Sequence, residues 1–185
     1  EKVHEMIKNI TKEDRLNLRK AGIKIGRYHI FLPRMLKPAA VELRVKLWKL
    51  FYDRDNKYII PKSGLNFLKN ETEKNNRFLL ICGFENFNQF YIRVDILERL
   101  FIKILDNTND GAFKIDSDMI NLIGCSKENF YKLLELMYYK PKKNGNKKEE
   151  LFIYKPKANK KENNKRNKKI NEDSPFEKLA ELRFR

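Results

Sequence analysis

The sequence predicts an α+β fold, mainly helical, in three parts: a helical region, a compact helix-and-strand module, and a disordered basic arm with a short terminal helix. Three observations predict it. Apolar residues recur at helical spacing in several windows, the mark of amphipathic helices. Short alternating runs such as Ile23-Lys24-Ile25 stand between them as strands. Residues 155–173 are rich in Lys and Asn with few apolar side chains, a composition that buries no core.

In the first part, Thr11 with Asp14 three residues on resembles a capping box, so a short helix should run to Lys20 before Gly22 stops it. An extended segment follows through residues 23–32, broken by Gly26 and ended by Pro33. Pro38 suits the first turn of a helix reaching Tyr52. That helix has two apolar stripes. One is Ala40, Leu43, Leu47 and Leu50; the other, roughly opposite, is Val41, Val45, Trp48 and Tyr52. Two readings stand: a core helix buried on both sides, or a Val41–Val45–Trp48–Tyr52 face that docks on a domain outside this chain. Residues 53–77 are polar with scattered turn formers and read as a loop, closing a first region at 1–77.

Order resumes at Phe78, and the second region spans 78–156. Residues 91–94 lead into a helix carrying Leu97, Leu100, Phe101 and Ile104 on one face. Residues 112–115 form a short strand, Ser117 caps a short helix stopped at Gly124, and Ser126 caps a longer one with Phe130, Leu133, Leu134 and Met137 inward. A basic loop containing Asn144-Gly145 then joins two extended pieces. Helix, strand, helix, tight turn, helix, hairpin is the order of a winged helix. Beyond it, residues 157–173 form the basic linker. Ser174, Pro175 and Glu177 open a terminal helix at 174–185, whose Phe176 and Leu179 can dock on a partner domain.

Charge points to the partner. Lys and Arg number 41 against 25 Asp and Glu, a formal +16, and an excess of that size implies a polyanion. Residues 140–169 hold thirteen Lys/Arg and three Glu. We therefore expect Lys140, Lys142, Lys143, Lys147 and Lys148 of the hairpin, with Lys155 and Lys157 of the arm, to contact nucleic-acid phosphates, most naturally those of single-stranded RNA. Arg27, Tyr28 and Arg34 can line the same path, with Tyr28 stacking on a base; the alternative is an ordinary half-buried strand. The helix after Ser126 mixes Lys127, Glu128, Lys132 and Glu135, which is not the charge pattern of a major-groove reader.

No catalytic or metal-binding set emerges. Cys82 and Cys125 are far apart, His4 and His29 are the only histidines, and no zinc spacing results. Cys125 fits a tight turn better than a nucleophile's post. Asp95, Glu98 and Arg99 read as a surface ion network. The two glycines at 22 and 26 are not followed by the Gly-Lys-Ser/Thr of a phosphate loop. With no apolar run near the ~20 residues of a membrane span, no membrane partner and a reduced, cytoplasmic setting are expected. The chain opens on Glu1 with amphipathic signal almost at once, and further chain upstream is expected.

The run GIKIGRYHIFLP at 22–33, followed by LKPAA at 36–40, resembles the carboxy-terminal region of a group of bacterial superfamily 2 RNA helicases similar to the helicase of the mitochondrial RNA degradosome. IRVDILERL at 92–100, DMINLIGCS at 118–126 and SPFEKLAEL at 174–182 resemble the same region in order. The resemblance implies an ATP-driven unwinding enzyme whose two motor domains lie upstream and bind ATP and Mg. This chain departs from the complete pattern: it has no Walker-type lysine loop, no Asp-Glu box and no arginine-finger motif, so it is expected to hydrolyse nothing alone. Its expected role is to hold nucleic acid and pack on the motor. The other classes are a free-standing winged-helix DNA-binding regulator and a small RNA- or ribosome-associated protein.

Overall fold

The computed structural model describes residues 2–52, 58–69, 76–142 and 151–156 as an α+β chain dominated by helix, with three small antiparallel sheets. Helices α1 (Lys2–Ile7) and α2 (Lys12–Lys20) come first. Thr11 caps α2 as its spacing predicts: its Oγ1 accepts the Asp14 N–H at 3.1 Å and donates to the Asp14 carboxylate at 2.7 Å. Strands β1 (Lys24–Ile25) and β2 (Ile30–Phe31) then pair as a small hairpin. A 3-10 turn at Pro33–Leu36 leads into α3 (Pro38–Tyr52), whose bounds are those read from Pro38 and the apolar period.

The orientation of α3 corrects one expectation. Val45 is fully buried, and Val41 and Trp48 pack with it against Phe78, Leu79, Cys82, Phe84 and Tyr91. The Trp48 ring meets Phe78, Tyr58 and Tyr52 at centroid separations of 5.5, 5.7 and 5.5 Å. The face assigned to an absent domain is thus filled from within the chain, apart from Tyr52 at its rim, where Arg77 lies over the exposed ring. The outward stripe is the other one: Leu43, Leu47 and Leu50 are 61%, 53% and 71% exposed.

Within the polar stretch after α3, where a loop was expected, residues 67–69 form a strand. Strand β3 (Phe67–Lys69) pairs with β5 (Phe90–Arg93), which lies between it and β4 (Phe84–Phe87); α4 (Asn76–Ile81) precedes β4. The turn from β4 to β5 is made by Asn88 at φ 56°, a conformation Asn accepts better than most residues, so no glycine marks it. Because β3 is hydrogen-bonded into a sheet made by residues beyond 78, the expected boundary at 77 separates nothing. Asn66 reinforces the link, its side chain donating to the Leu122 carbonyl at 3.1 Å.

Helix α5 (Val94–Asp106) leaves β5 directly. After it come β6 (Thr108–Asn109), β7 (Ala112–Lys114), α6 (Ser117–Ile123), α7 (Lys127–Leu136), β8 (Tyr139–Pro141) and β9 (Leu151–Tyr154). The four strands form one sheet in the order β6-β7-β9-β8. Ser126 caps α7 by accepting the Asn129 N–H at 3.3 Å, and Gly124 ends α6 in the left-handed region, both as expected. Ser117 does not cap: Asp116 holds the cap position, and the Ser117 hydroxyl donates to its carboxylate at 3.2 Å. Phe130, Leu133, Leu134 and Met137 face a core completed by Leu97, Leu100, Ile104, Met119, Ile123 and Phe152. The expected basic linker at 157–173 and terminal helix at 174–185, with Phe176 and Leu179, lie outside the described residues.

The two stripes of α3 make opposite predictions. Val45→Ala removes two methyl groups from a closed site and should lower unfolding stability by roughly 2 kcal/mol, whereas Leu47→Ala should change it by less than about 0.5 kcal/mol. Urea denaturation of both variants checks this; a larger loss for Leu47→Ala would mean that the outer stripe is the packed one.

Candidate nucleic-acid interface

The turn joining β1 to β2 begins at Gly26, and its backbone is held by a carboxylate from another helix. Glu98 of α5 is only 7% exposed. Its Oε2 accepts the Arg27 N–H at 2.8 Å, and its Oε1 accepts the Tyr28 and His29 N–H groups at 2.8 and 3.0 Å. A buried carboxylate is costly unless donors surround it, and three successive amides supply them. Gly26 is required by the same contact, since a Cβ there would overlap the Glu98 carboxylate. The expected surface network of Asp95, Glu98 and Arg99 is thus corrected. Asp95 pairs with Arg93 at 2.6 Å, Arg99 is exposed, and Glu98 is a buried anchor. The His29 Nε2 lies 2.7 Å from a Glu85 oxygen without hydrogen-bond alignment.

This anchor sets the two side chains that the turn presents. The Arg27 guanidinium lies 4.7 Å from the Phe101 ring centroid and 5.4 Å from that of Tyr154, a geometry of cation–π attraction. The Tyr28 ring sits edge-on between Phe87 and Phe101, at 6.2 and 6.0 Å. Burial pushes its phenol well above the ordinary tyrosine range.

Two hollows adjoin there. One, of about 650 Å³, is lined by Arg27, Tyr28, Phe101 and Tyr154. The other, of about 720 Å³, is lined by Asn86, Asn88, Glu135, Lys140 and Lys155. Phe87, Leu136 and Tyr138 line both, so the two form one groove. Arg27, Tyr28, Lys140 and Lys155, singled out in the sequence, therefore meet along a single surface although 128 positions separate the first from the last. Arg34 is exposed on the 3-10 turn and lines neither hollow, and Lys142 is exposed just beyond β8. Lys143, Lys147, Lys148 and Lys157 lie outside the described residues.

Tyr138, Tyr154, Phe87 and the asparagines at 86 and 88 were not singled out by the sequence reading. Tyr154 carried a signal, since alternation along β9 puts it on the face of Phe152 but one step beyond the core. The others carried none.

Among the described residues no group of three His, Cys, Asp or Glu is placed to hold a metal ion, and no helix is long and apolar enough to cross a membrane. Burial pushes the Cys82 and Cys125 thiols up to about 11, the opposite of what activates a nucleophile. Compared with known proteins, the chain matches no family model, no curated protein and no solved structure.

Two predictions follow the anchor and the thiol. Glu98→Gln keeps the size but turns one acceptor into a donor facing N–H groups, and should cost about 2–3 kcal/mol of unfolding stability; Gly26→Ala should cost at least as much. If both unfold at the wild-type denaturant midpoint, the anchor contributes nothing. The Cys82 thiol has a folded pKa raised from 9.0 to about 11, so its neutral form belongs to the fold. Its contribution is whole below pH 9 and is lost as pH rises towards 11, by about 2 kcal/mol. Between those pH values Cys82→Ala should lose correspondingly less stability than the wild type; parallel curves would contradict the assignment.

Proposed function

We propose that this chain is a non-catalytic nucleic-acid-binding region that holds single-stranded RNA along the groove between the 26–29 turn and the β8–β9 strands. The observation that carries the reading is the convergence of Arg27, Lys140 and Lys155 on one aromatic-floored groove. Cations spaced along a channel hold a phosphate chain without reading its sequence, and exposed rings beside them suit unpaired bases.

The order of α5, β7, α6, α7, β8 and β9, with β9 between β7 and β8, supports a winged-helix-like module. In that module α7 takes the recognition-helix position. Its exposed Lys127, Glu128, Lys132 and Glu135 alternate in sign and would repel as many phosphates as they attract. Contact therefore falls to the strand side, and the lysines at 143, 147, 148 and 157 with those of 160–169 add positive charge to the chain beside it in sequence.

The resemblance of residues 22–40, 92–100, 118–126 and 174–182 to the carboxy-terminal region of bacterial RNA helicases supports the wider setting: an accessory part of an ATP-dependent enzyme in the cytoplasm. Motor domains upstream would carry ATP and Mg, and this chain would hold the strand for them. The exposed Leu43–Leu47–Leu50 stripe of α3 then takes the place of the Trp48 face as the surface towards the motor.

Binding to a labelled single-stranded RNA, followed by fluorescence anisotropy across a salt series, tests the reading. Affinity should fall steeply with salt, and replacing Arg27, Lys140 and Lys155 by Ala together should make the log–log slope shallower by about 2, at ~0.7 per lost phosphate contact. No binding at low salt, or an unchanged slope in the triple variant, would remove the groove from consideration.

A further inference from the structure

Resting on that reading, we propose that Tyr138 is the stacking post for an unpaired base, which makes the groove selective for single strands over duplex. Three non-glycine residues among those described have left-handed φ: Asn88, Asp110 and Tyr138. Asn and Asp tolerate that region, but a bulky side chain there is disfavoured because its Cβ crowds the neighbouring carbonyl. Tyr138, at φ 67°, stands just past the end of α7, after the Met137 cap, where glycine is the common choice. The position is also pinned: its N–H donates to the Glu135 carbonyl at 3.0 Å, and its carbonyl accepts the Lys155 N–H at 2.8 Å. The fold thus imposes a glycine-like conformation and the sequence supplies a tyrosine.

Core packing does not explain the ring. Tyr138 is 40% exposed, and its ring makes no aromatic, cation or hydrogen-bonded contact with another described residue. Every other ring of the groove is engaged: Tyr28 with Phe87 and Phe101, and Tyr154 with Tyr139 and Arg27. Tyr138 is the one tyrosine or phenylalanine lining the groove with no ring or cation partner among the described residues. It stands where the two hollows meet, with Arg27 on one side and Lys140 and Lys155 on the other. Each hollow exceeds the roughly 300 Å³ at which ligand pockets begin, enough for a nucleobase. Phosphates held to either side would turn the intervening base onto Tyr138. Bases stacked inside a duplex offer no free face to it, and stacking does not discriminate among the four bases. A strained residue with an idle ring, set between cations, is the geometry of a reader of unpaired bases.

The test uses the full chain, an oligouridine of about ten nucleotides and a duplex of the same length, with the Tyr138→Gly and Tyr138→Phe variants. Tyr138→Gly should unfold at the same or a higher temperature, because glycine relieves the left-handed strain. It should bind the single strand about tenfold more weakly while duplex affinity is unchanged, and Tyr138→Phe should bind both as the wild type does. If Tyr138→Gly binds the single strand normally while the Arg27/Lys140/Lys155 triple variant does not, the stacking proposal falls and the electrostatic reading stands. If Tyr138→Phe loses as much as Tyr138→Gly, the hydroxyl and not the ring is what matters, and the proposal also falls. Failure of the wild type to bind either RNA overturns both readings together.

Discussion

A single buried carboxylate holds the backbone of the 26–29 turn against the rest of the molecule. Glu98 projects from α5 beneath the 26–29 turn and takes three consecutive backbone donors, about 70 positions away in sequence. The hairpin's own pairing offers little, since β1 and β2 contribute only two residues each. An isolated hairpin of that size is not stable in water. With the carboxylate in place, Arg27 is set over Phe101 and Tyr28 is wedged between two rings. One wall of the groove therefore depends on a charge that never reaches its surface.

The opposite constraint is the double burial of β5. Phe90 and Ile92 point into the core made with α5, α6 and α7, whereas Tyr91 points into the core made with α3 and α4. Alternation along a strand gives its two faces to two cores at once, so the strand reads as an unbroken apolar run. This is why the helical amino-terminal part and the later module are one body in contact and not two beads on a string. The groove lies where that body meets β8 and β9, and its cations come from both ends of the described chain.

Much of the local structure was legible. Thr11, Pro38, Gly124 and Ser126 mark ends that the backbone observes, because capping is a short-range matter of donors and acceptors. The inward face of α7 was read residue by residue from its period. What escaped was set at long range. Two apolar stripes on α3 cannot announce which one faces Phe78 and Tyr91, so the sequence left open whether the Trp48 face packs within the chain or outside it. Phe67–Lys69 is too short to show alternation, and the Asn88 turn lacks the glycine that flags a hairpin. Glu98 looked like a surface residue because it stands beside Arg99, and only the fold reveals three amides above it. Arg27, Tyr28, Lys140 and Lys155 were singled out by charge and ring type, and the fold brings them to one groove. Tyr138 was not, because nothing in a tyrosine betrays a left-handed backbone.

The central claim is that the Glu98 carboxylate fixes the groove's wall, and amide hydrogen exchange at Arg27, Tyr28 and His29 addresses it residue by residue. If the carboxylate holds those donors, they should exchange as slowly as the α5 core amides such as that of Leu100, to within about tenfold, and lose that protection in Glu98→Ala. Exchange at the rate of an open loop in the wild type, or protection that survives Glu98→Ala, would contradict it.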